Sequence, residues 1–288
     1  MTTLSIVILN YNTKDLTTSC VESIYKEYKK ELDSKELEVI LVDNNSIDDS
    51  ISSFKKLSSK IKLIELKENL GFSKGCNLGA DKAKGEYLLF LNSDTEVKDR
   101  GFLKMIEFMK GNKKIGILGA KLKFPNGSIQ KSAGKFYTLF NLFLMLLGLE
   151  RFEFLRFSPK NNKKVDWVSG ASLMIKKDLF NKLGMFEKEI FMYMEDQELC
   201  FRAKLRGFDT YFYKDIEIIH KERGSSNKTF AILNIYKGIK FFYKKYKPRW
   251  QYLIAVFFLK TKALILVVLG KIVNNKYLEN TYLEAFKI

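Results

Sequence analysis

Cysteine, proline and histidine are scarce in this chain. Its 288 residues hold three cysteines, Cys20, Cys76 and Cys200. Three scattered thiols cannot make a disulfide framework or a cysteine-built zinc site, and they fit a reducing compartment. Three prolines and 17 glycines exclude a fibrous or linker-like chain. No internal repeat is visible. No Gly-x-Gly-x-x-Gly follows the first apolar run, and the nearest glycine-rich stretch, Gly71 to Gly79, has no Gly-Lys-Ser/Thr. A dinucleotide enzyme and a P-loop ATPase are therefore not expected. The opening MTTLSIVILNYN has no basic leader and only a short apolar run, so no secretory signal is expected there.

What is present is apolar and basic. Hydrophobic residues make up 46% and aromatics 14%, enough for a sizeable core. Fifty Lys and Arg against 33 Asp and Glu give a net charge of +17. Residues 221–288 hold fourteen basic and three acidic residues, a net of +11, so most of the excess lies in the last quarter. Such a tail can meet nucleic acid, an anionic membrane or only water; its long apolar runs favour the membrane.

Short apolar runs at 4–9, 37–42, 61–66 and 87–91 read as buried strands. Helical spacing between them, at 13–28, 48–57 and 72–83, predicts a mostly parallel α/β sheet. Further strands are expected at 117–124, 165–175 and 210–219, a polar turn at 125–127, an apolar segment at 136–149, and helices at 178–184 and 196–206. Polar residues gather where strands end: Asn10 to Asn12, Asp43 to Ser46, and Asn92, Ser93 and Asp94. Ligands of open α/β sheets bind beyond the strand ends, although Asn and Asp also favour ordinary turns.

Two segments could carry chemistry. An Asn-x-Asp pair ending a strand can hold a hard cation that clamps a diphosphate. The run FMYMEDQELCFR sets Glu195, Asp196 and Glu198 against aromatics and methionines. Apolar surroundings raise a carboxyl pKa, as a general base requires, but the same carboxylates would also start a helix. His220, the only histidine, ends a strand and precedes Arg223, Gly224, Ser225 and Ser226, a donor-rich stretch suited to an anion. A carboxylate plus an imidazole suits Mn²⁺ better than Mg²⁺.

In this order SIVILNYN, LVDNNSIDDS, ENLGFSKGCNLG, YLLFLNSDT, DWVSGASLMI, FMYMEDQELCFRAKLRG and His220 resemble the family 2 glycosyltransferases of GT-A fold, in their rhamnosyltransferase-like branch. The resemblance covers about residues 4–226 and implies a Rossmann-like mixed sheet. It implies a GT-A catalytic domain over 1–228, with a nucleotide-binding half (1–98) and an acceptor half (99–228). By position, Tyr11, Asn12 and Asp43 would line the nucleotide pocket, and Asn69, Gly71 and Asn77 its other side. Asn92, Ser93 and Asp94 would form the DxD-like motif, Asp94 and His220 holding Mn²⁺ or Mg²⁺; position 92 carries Asn where many relatives carry Asp. Asp196 would be the general base with Glu195 beside it, and Trp167, Ser169 and Gly170 would face sugar or acceptor. The implied reaction is an inverting transfer from a nucleoside-diphosphate sugar to a saccharide or lipid-linked acceptor.

Residues 229–288 lie outside the motifs. Aromatic and basic residues alternate to 247, and residues 252–270 are apolar except for Lys260, Thr261 and Lys262. A Lys at a bilayer centre costs roughly 2.5–3.5 kcal/mol, so an amphipathic helical tail on the cytoplasmic face of an anionic membrane is expected rather than a span. A helix packed on the catalytic domain would show the same pattern. Three other readings stay open: a sugar nucleotidyltransferase, which needs no Asp196; a nucleic-acid-binding protein; and a catalytically inactive membrane scaffold.

Overall fold

The computed structural model describes residues 2–57, 60–149, 155–222 and 227–288. In chain order the elements are β1 (Leu4–Asn10), α1 (Lys14–Asp33), β2 (Leu37–Asp43), α2 (Ser50–Lys55), β3 (Lys62–Glu65), α3 (Gly71–Lys82), β4 (Tyr87–Asn92) and β5 (Thr95–Val97). Then come α4 (Gly101–Gly111), β6 (Ile115–Lys123), β7 (Ile129–Gln130), β8 (Ala133–Gly134), α5 (Leu139–Leu146), β9 (Arg156–Phe157), β10 (Lys163–Val165), β11 (Trp167–Val168), β12 (Ser172–Lys176) and α6 (Lys177–Leu183). The chain continues with α7 (Glu195–Leu205), β13 (Asp209–His220), α8 (Lys228–Tyr246), α9 (Arg249–Ile272) and α10 (Lys276–Lys287).

The main sheet runs β10-β13-β6-β12-β4-β1-β2-β3. Strands β3, β2, β1 and β4 are parallel, β12 is antiparallel to both β4 and β6, and β13 is parallel to β6. Period-two alternation divides the core. Leu4, Ile6 and Ile8 of β1 pack with Cys20, Val21 and Ile24 of α1, while Val7 packs on the other face with Cys76 and Ala80 of α3. Both faces are covered, which is why these strands read as continuous apolar runs.

The expected strand at 165–175 is broken in two. Trp167–Val168 pairs with β8 in a small second sheet, whereas Ser172–Lys176 joins the main sheet between β4 and β6. The turn at Gly170 separates them, and an apolar run cannot show that its halves belong to different sheets. Helix α4 and strand β5 carried no expectation. The apolar segment at 136–149 forms α5, capped by Thr138 Oγ1, which accepts from Asn141 N.

The tail is three helices around a third core. Leu142 and Met145 of α5 meet Ile239, Phe242 and Tyr243 of α8, and Ala255, Leu259 and Ala263 of α9. Lys262 is buried, and its Nζ donates to the Met145 carbonyl at 2.8 Å. Of the two lysines that interrupt the apolar run, this one faces the protein.

Helix α3 reaches β1 through glycines. A Cβ at Gly79 would lie 2.5 Å from a Val7 methyl and 3.0 Å from Val42. Gly79→Val should push the helix off the sheet and cost about 1–3 kcal/mol, because overpacking outweighs the gain in helix propensity. Urea denaturation measures this, and an unchanged midpoint would contradict the packing argument.

Candidate active site

Parallel register brings the ends of β1, β2 and β4 together. Asn10 is opposite Asp43, and Leu9 is opposite Asn92. The Asn10 side chain is fully buried. Its Nδ2 lies 2.7 Å from Asp43 Oδ1, 2.9 Å from Ser46 Oγ and 3.0 Å from Ser50 Oγ. Its Oδ1 accepts from the hydroxyls of Thr13 (2.8 Å) and Thr17 (2.7 Å). Thr13 also reaches Ser93 at 3.1 Å, tying β1 to the turn after β4.

Tyr11 and Asn12 stand at the rim of this network. Asn12, with φ 53°, accepts from Ile47 N at 2.8 Å. Asn69 accepts from Asn44 Nδ2 at 2.7 Å and from Gly71 N at 3.0 Å. Gly71 has φ +80°, and a Cβ there would meet the Phe191 carbonyl at 2.5 Å, so only glycine fits. Two residues expected to line the pocket point inward. Asp43 is fully buried and bonds Asn10 and Ser46 N. Asn77 donates to Phe186 O (2.9 Å) and accepts from Phe186 N (3.0 Å), clamping the loop ahead of α7.

Asp94 and His220, far apart in sequence, meet because β13 pairs antiparallel with β5, placing His220 opposite Thr95. His220 Nε2 is 3.1 Å from Asp94 Oδ1 and 3.4 Å from Asn92 Nδ2, while Nδ1 is 2.8 Å from Gln130 Oε1. Gln130 is an acceptor there, so Nδ1 carries a proton and Nε2 can offer its lone pair toward Asp94. An imidazole lone pair facing a carboxylate oxygen is satisfied by a proton on Nε2 or by a metal ion, and the donor set fits a divalent cation. Among the described residues no group of three or more His, Cys, Asp and Glu gathers. The protein would supply two ligands here, and the rest would come from water and diphosphate oxygens. Arg223 and Ser225, expected beside the anion, lie outside the described residues.

The carboxylate pair begins α7. Asp196 Oδ2 accepts from Gly170 N at 3.0 Å, and Oδ1 from Gln197 N at 2.7 Å. Glu195 is buried, with Oε2 lacking a partner. Burial, then the neighbouring Asp196 charge, pushes the Glu195 carboxyl up to about 8. Burial also raises Asp196, against which its backbone donors and the Arg156 charge act. Glu195 therefore keeps its proton near neutrality, while the two backbone N–H groups favour the charged form of Asp196. Asn92 N donates to Ala171 O at 3.1 Å, which fixes the carboxylate pair's Gly170 turn beside the Asp94 cluster.

Tyr193 and Met194, just before the pair, have φ of 67° and 77°. Two such residues cost of order 1–3 kcal/mol each, so the surroundings must hold them. Helix α8 does so. A Cβ at Gly238 would lie 2.7 Å from Met194 Cγ, and the Phe191 and Phe230 rings pack 6.0 Å apart. Buried Glu198 takes two bonds from Arg202, at 2.8 and 2.6 Å, and one from the Tyr246 hydroxyl of α8. Trp167 is buried, its Nε1 donates to Lys135 O at 3.0 Å, and its ring lies against Gly134. Ser169 Oγ accepts from Ala171 N at 3.3 Å in the same turn.

Asn10 and Asn44 belong to the polar clusters at the strand ends but had no role assigned, and Gln130 was not among the expected site residues. Gln130 had a signal: reading the turn at 125–127 as a β6–β7 hairpin places it opposite Leu122, one strand from His220.

A family model described as "Glycosyl transferase family 2" matches residues 5–184. The N-acetylglucosaminyl-diphospho-decaprenol L-rhamnosyltransferase of Mycobacterium tuberculosis is 22% identical over 215 residues, which is 66% of this chain and 68% of that protein. The O-antigen biosynthesis protein RfbC of Myxococcus xanthus is 25% identical over 233 residues, covering 77% of this chain and 17% of that one. The chain spans about a fifth of the length of two of the curated relatives it matches. Mannosyltransferase PcManGT from Pyrobaculum calidifontis, solved with GDP-Man and Mn²⁺, superposes with a TM-score of 0.60 at 15% identity, over 98% of this chain and 85% of that one. The fold is GT-A, as the sequence led us to expect.

A raised carboxyl has a signed effect on stability. Glu195 binds its proton more tightly folded than unfolded, so its contribution is complete below the ordinary value near 4.5 and is lost as pH rises toward 8. Glu195→Gln should lose less stability than wild type between pH 5 and pH 9, with the widest gap above pH 8. Melting curves across that range test it, and parallel pH profiles would show that Glu195 is not held protonated.

Proposed function

The chain belongs to glycosyl transferase family 2, and from that premise we propose that it moves a sugar from a nucleoside diphosphate to a hydroxyl of a saccharide or lipid-linked acceptor in cell-surface glycan synthesis, with inversion. The observation that carries this reading is Asp196, held by the Gly170 N–H on the same sheet edge as Asp94 and His220. Rhamnose is the donor sugar to test first, since a relative's printed name specifies it.

Asp196 takes the proton of the acceptor hydroxyl. The acceptor oxygen attacks the anomeric carbon from the face opposite the diphosphate, the carbon–oxygen bond to the diphosphate breaks, and the nucleoside diphosphate leaves. Protonated Glu195 adds no second charge beside the base. Gly170 N–H orients the base, and the Asn10 network fixes the strand ends on which the nucleotide would rest. Asp94 and His220 would hold Mn²⁺ or Mg²⁺, which when bound neutralises charge on the diphosphate. The basic, apolar tail supports a peripheral position on the cytoplasmic face of an anionic membrane, where a lipid-linked acceptor would be presented.

Asp196→Asn should cut transfer about 10²–10⁴-fold while nucleotide binding survives, because the amide keeps the shape and cannot take a proton. Released nucleoside diphosphate, read with Mn²⁺ and a panel of UDP-, dTDP- and GDP-sugars, gives the rate; transfer within tenfold of wild type would remove Asp196 from the role. The same assay should lose activity in excess EDTA, and His220→Ala should weaken nucleoside-diphosphate binding in calorimetry. Full activity with EDTA present would leave His220 contacting the diphosphate directly.

A further inference from the structure

Helix α9 has two unlike faces. Ala255, Leu259, Ala263 and Val267 are buried, and at Gly270 a Cβ would lie 2.7 Å from Glu279 N, so α10 folds back closely along it. On the other side Trp250, Leu253, Phe257, Leu264, Val268 and Ile272 are 48–75% exposed. At about 100° per residue these six fall within roughly a 100° sector, one continuous stripe along the helix. Arg249, Lys260 and Lys271 follow one edge of that stripe by the same count. Lys262 does not interrupt it, because its ammonium bonds the Met145 carbonyl inside the fold.

The stripe has apolar neighbours on both sides. Helix α5 and its C-cap expose Phe140 (67%), Phe143 (41%) and Leu147 (55%), and the Phe143 ring lies 5.9 Å from Phe258 of α9. On the other side Phe286 of α10 is 37% exposed, with Lys260 Nζ 5.1 Å from its ring. Exposed apolar residues scattered singly mean little, but a contiguous surface over three helices needs a cover. The cationic edge says which. An apolar stripe bordered by long basic side chains suits an anionic lipid interface, where hydrocarbon takes the rings and phosphates take the ammonium groups.

We propose that α5, α9 and α10 form one membrane-docking face on which α9 lies in the plane of an anionic bilayer without crossing it. A span would strip α9 from α5, α8 and α10 and carry Lys262 away from its carbonyl into hydrocarbon. Lying flat keeps the buried face packed and inserts only the stripe. The inference deepens the membrane reading above and rests on it for the acceptor. It adds α5, which belongs to the catalytic half: β8, just before it, pairs with β11, and Ser169 N donates to Ser132 O at 2.8 Å, so the docking face joins the Gly170 turn through a few residues.

Flotation of the full chain with anionic and neutral phospholipid vesicles tests this. Two doubly substituted proteins, Phe257→Glu with Leu264→Glu on α9 and Phe140→Glu with Leu147→Glu on α5, change only exposed positions. Each should raise the vesicle concentration for half-flotation by about tenfold or more, since a single inserted side chain accounts for roughly that factor. Donor hydrolysis in vesicle-free buffer should stay at the wild-type level in both, which separates loss of docking from failure of the catalytic reading. In the Leu264→Trp variant, brominated lipids labelled near the headgroup should quench the added indole more than those labelled at the chain ends. The proposal is overturned if full-length protein stays at the bottom with anionic vesicles. It is equally overturned if either double variant floats like wild type, or if chain-end bromines quench most strongly.

Discussion

The buried amide of Asn10 organises the polar edge of the sheet. Where β1 ends, its side chain is sealed from water, so every polar atom must find a partner in the protein. The carbonyl takes two threonine hydroxyls from the start of α1, and the amide faces Asp43, Ser46 and Ser50. One side chain thus fixes the exit of β1, the exit of β2 and the entry of α1. Through Thr13 and Ser93 it also reaches the turn that carries Asp94. Parallel strand pairing brings these ends to one edge, and the asparagine makes their loops rigid enough to present a surface.

The catalytic half depends on a different kind of constraint. Glu195 and Asp196 are aimed by two residues in the left-handed region, a conformation neither tyrosine nor methionine prefers. The strain persists because Asn77 and Gly71 hold the chain ahead of it and α8 closes over it. Burial then gives the two carboxyls different roles. Glu195, its Oε2 without a partner, keeps its proton; Asp196 accepts from two backbone N–H groups, which favour its charged form. Helix α8 bonds Glu198 through Tyr246, so the first helix of the basic tail is also a wall of the site.

The same tail shows how one helix can satisfy two solvents. Small and branched side chains of α9 fill the third core, and the aromatic and branched residues of its far side have no protein neighbour among the described residues to cover them. Lys262 would be costly in a purely apolar interface, yet a helix carbonyl at the end of α5 receives it. A cation inside an apolar run can therefore mark where a helix turns toward the protein.

Local sequence determined the strand–helix order of the first half, because doubly buried strands are short unbroken apolar runs and their ends collect Asn and Asp. Motifs that resemble a known family also picked out Asp196 as the base and Asp94 with the only histidine as a cation site. Tertiary structure decided what no local pattern encodes. Antiparallel β5–β13 pairing brings Asp94 to His220, and the division of 165–175 between two sheets turns Gly170 toward Asp196. Side-chain direction was decided there too: Asp43, Asn77 and Trp167 face inward because buried amides, carboxylates and indoles must be bonded within the fold. The two faces of α9 belong to the same class, since composition fixes how apolar a helix is and only its neighbours fix which side remains exposed.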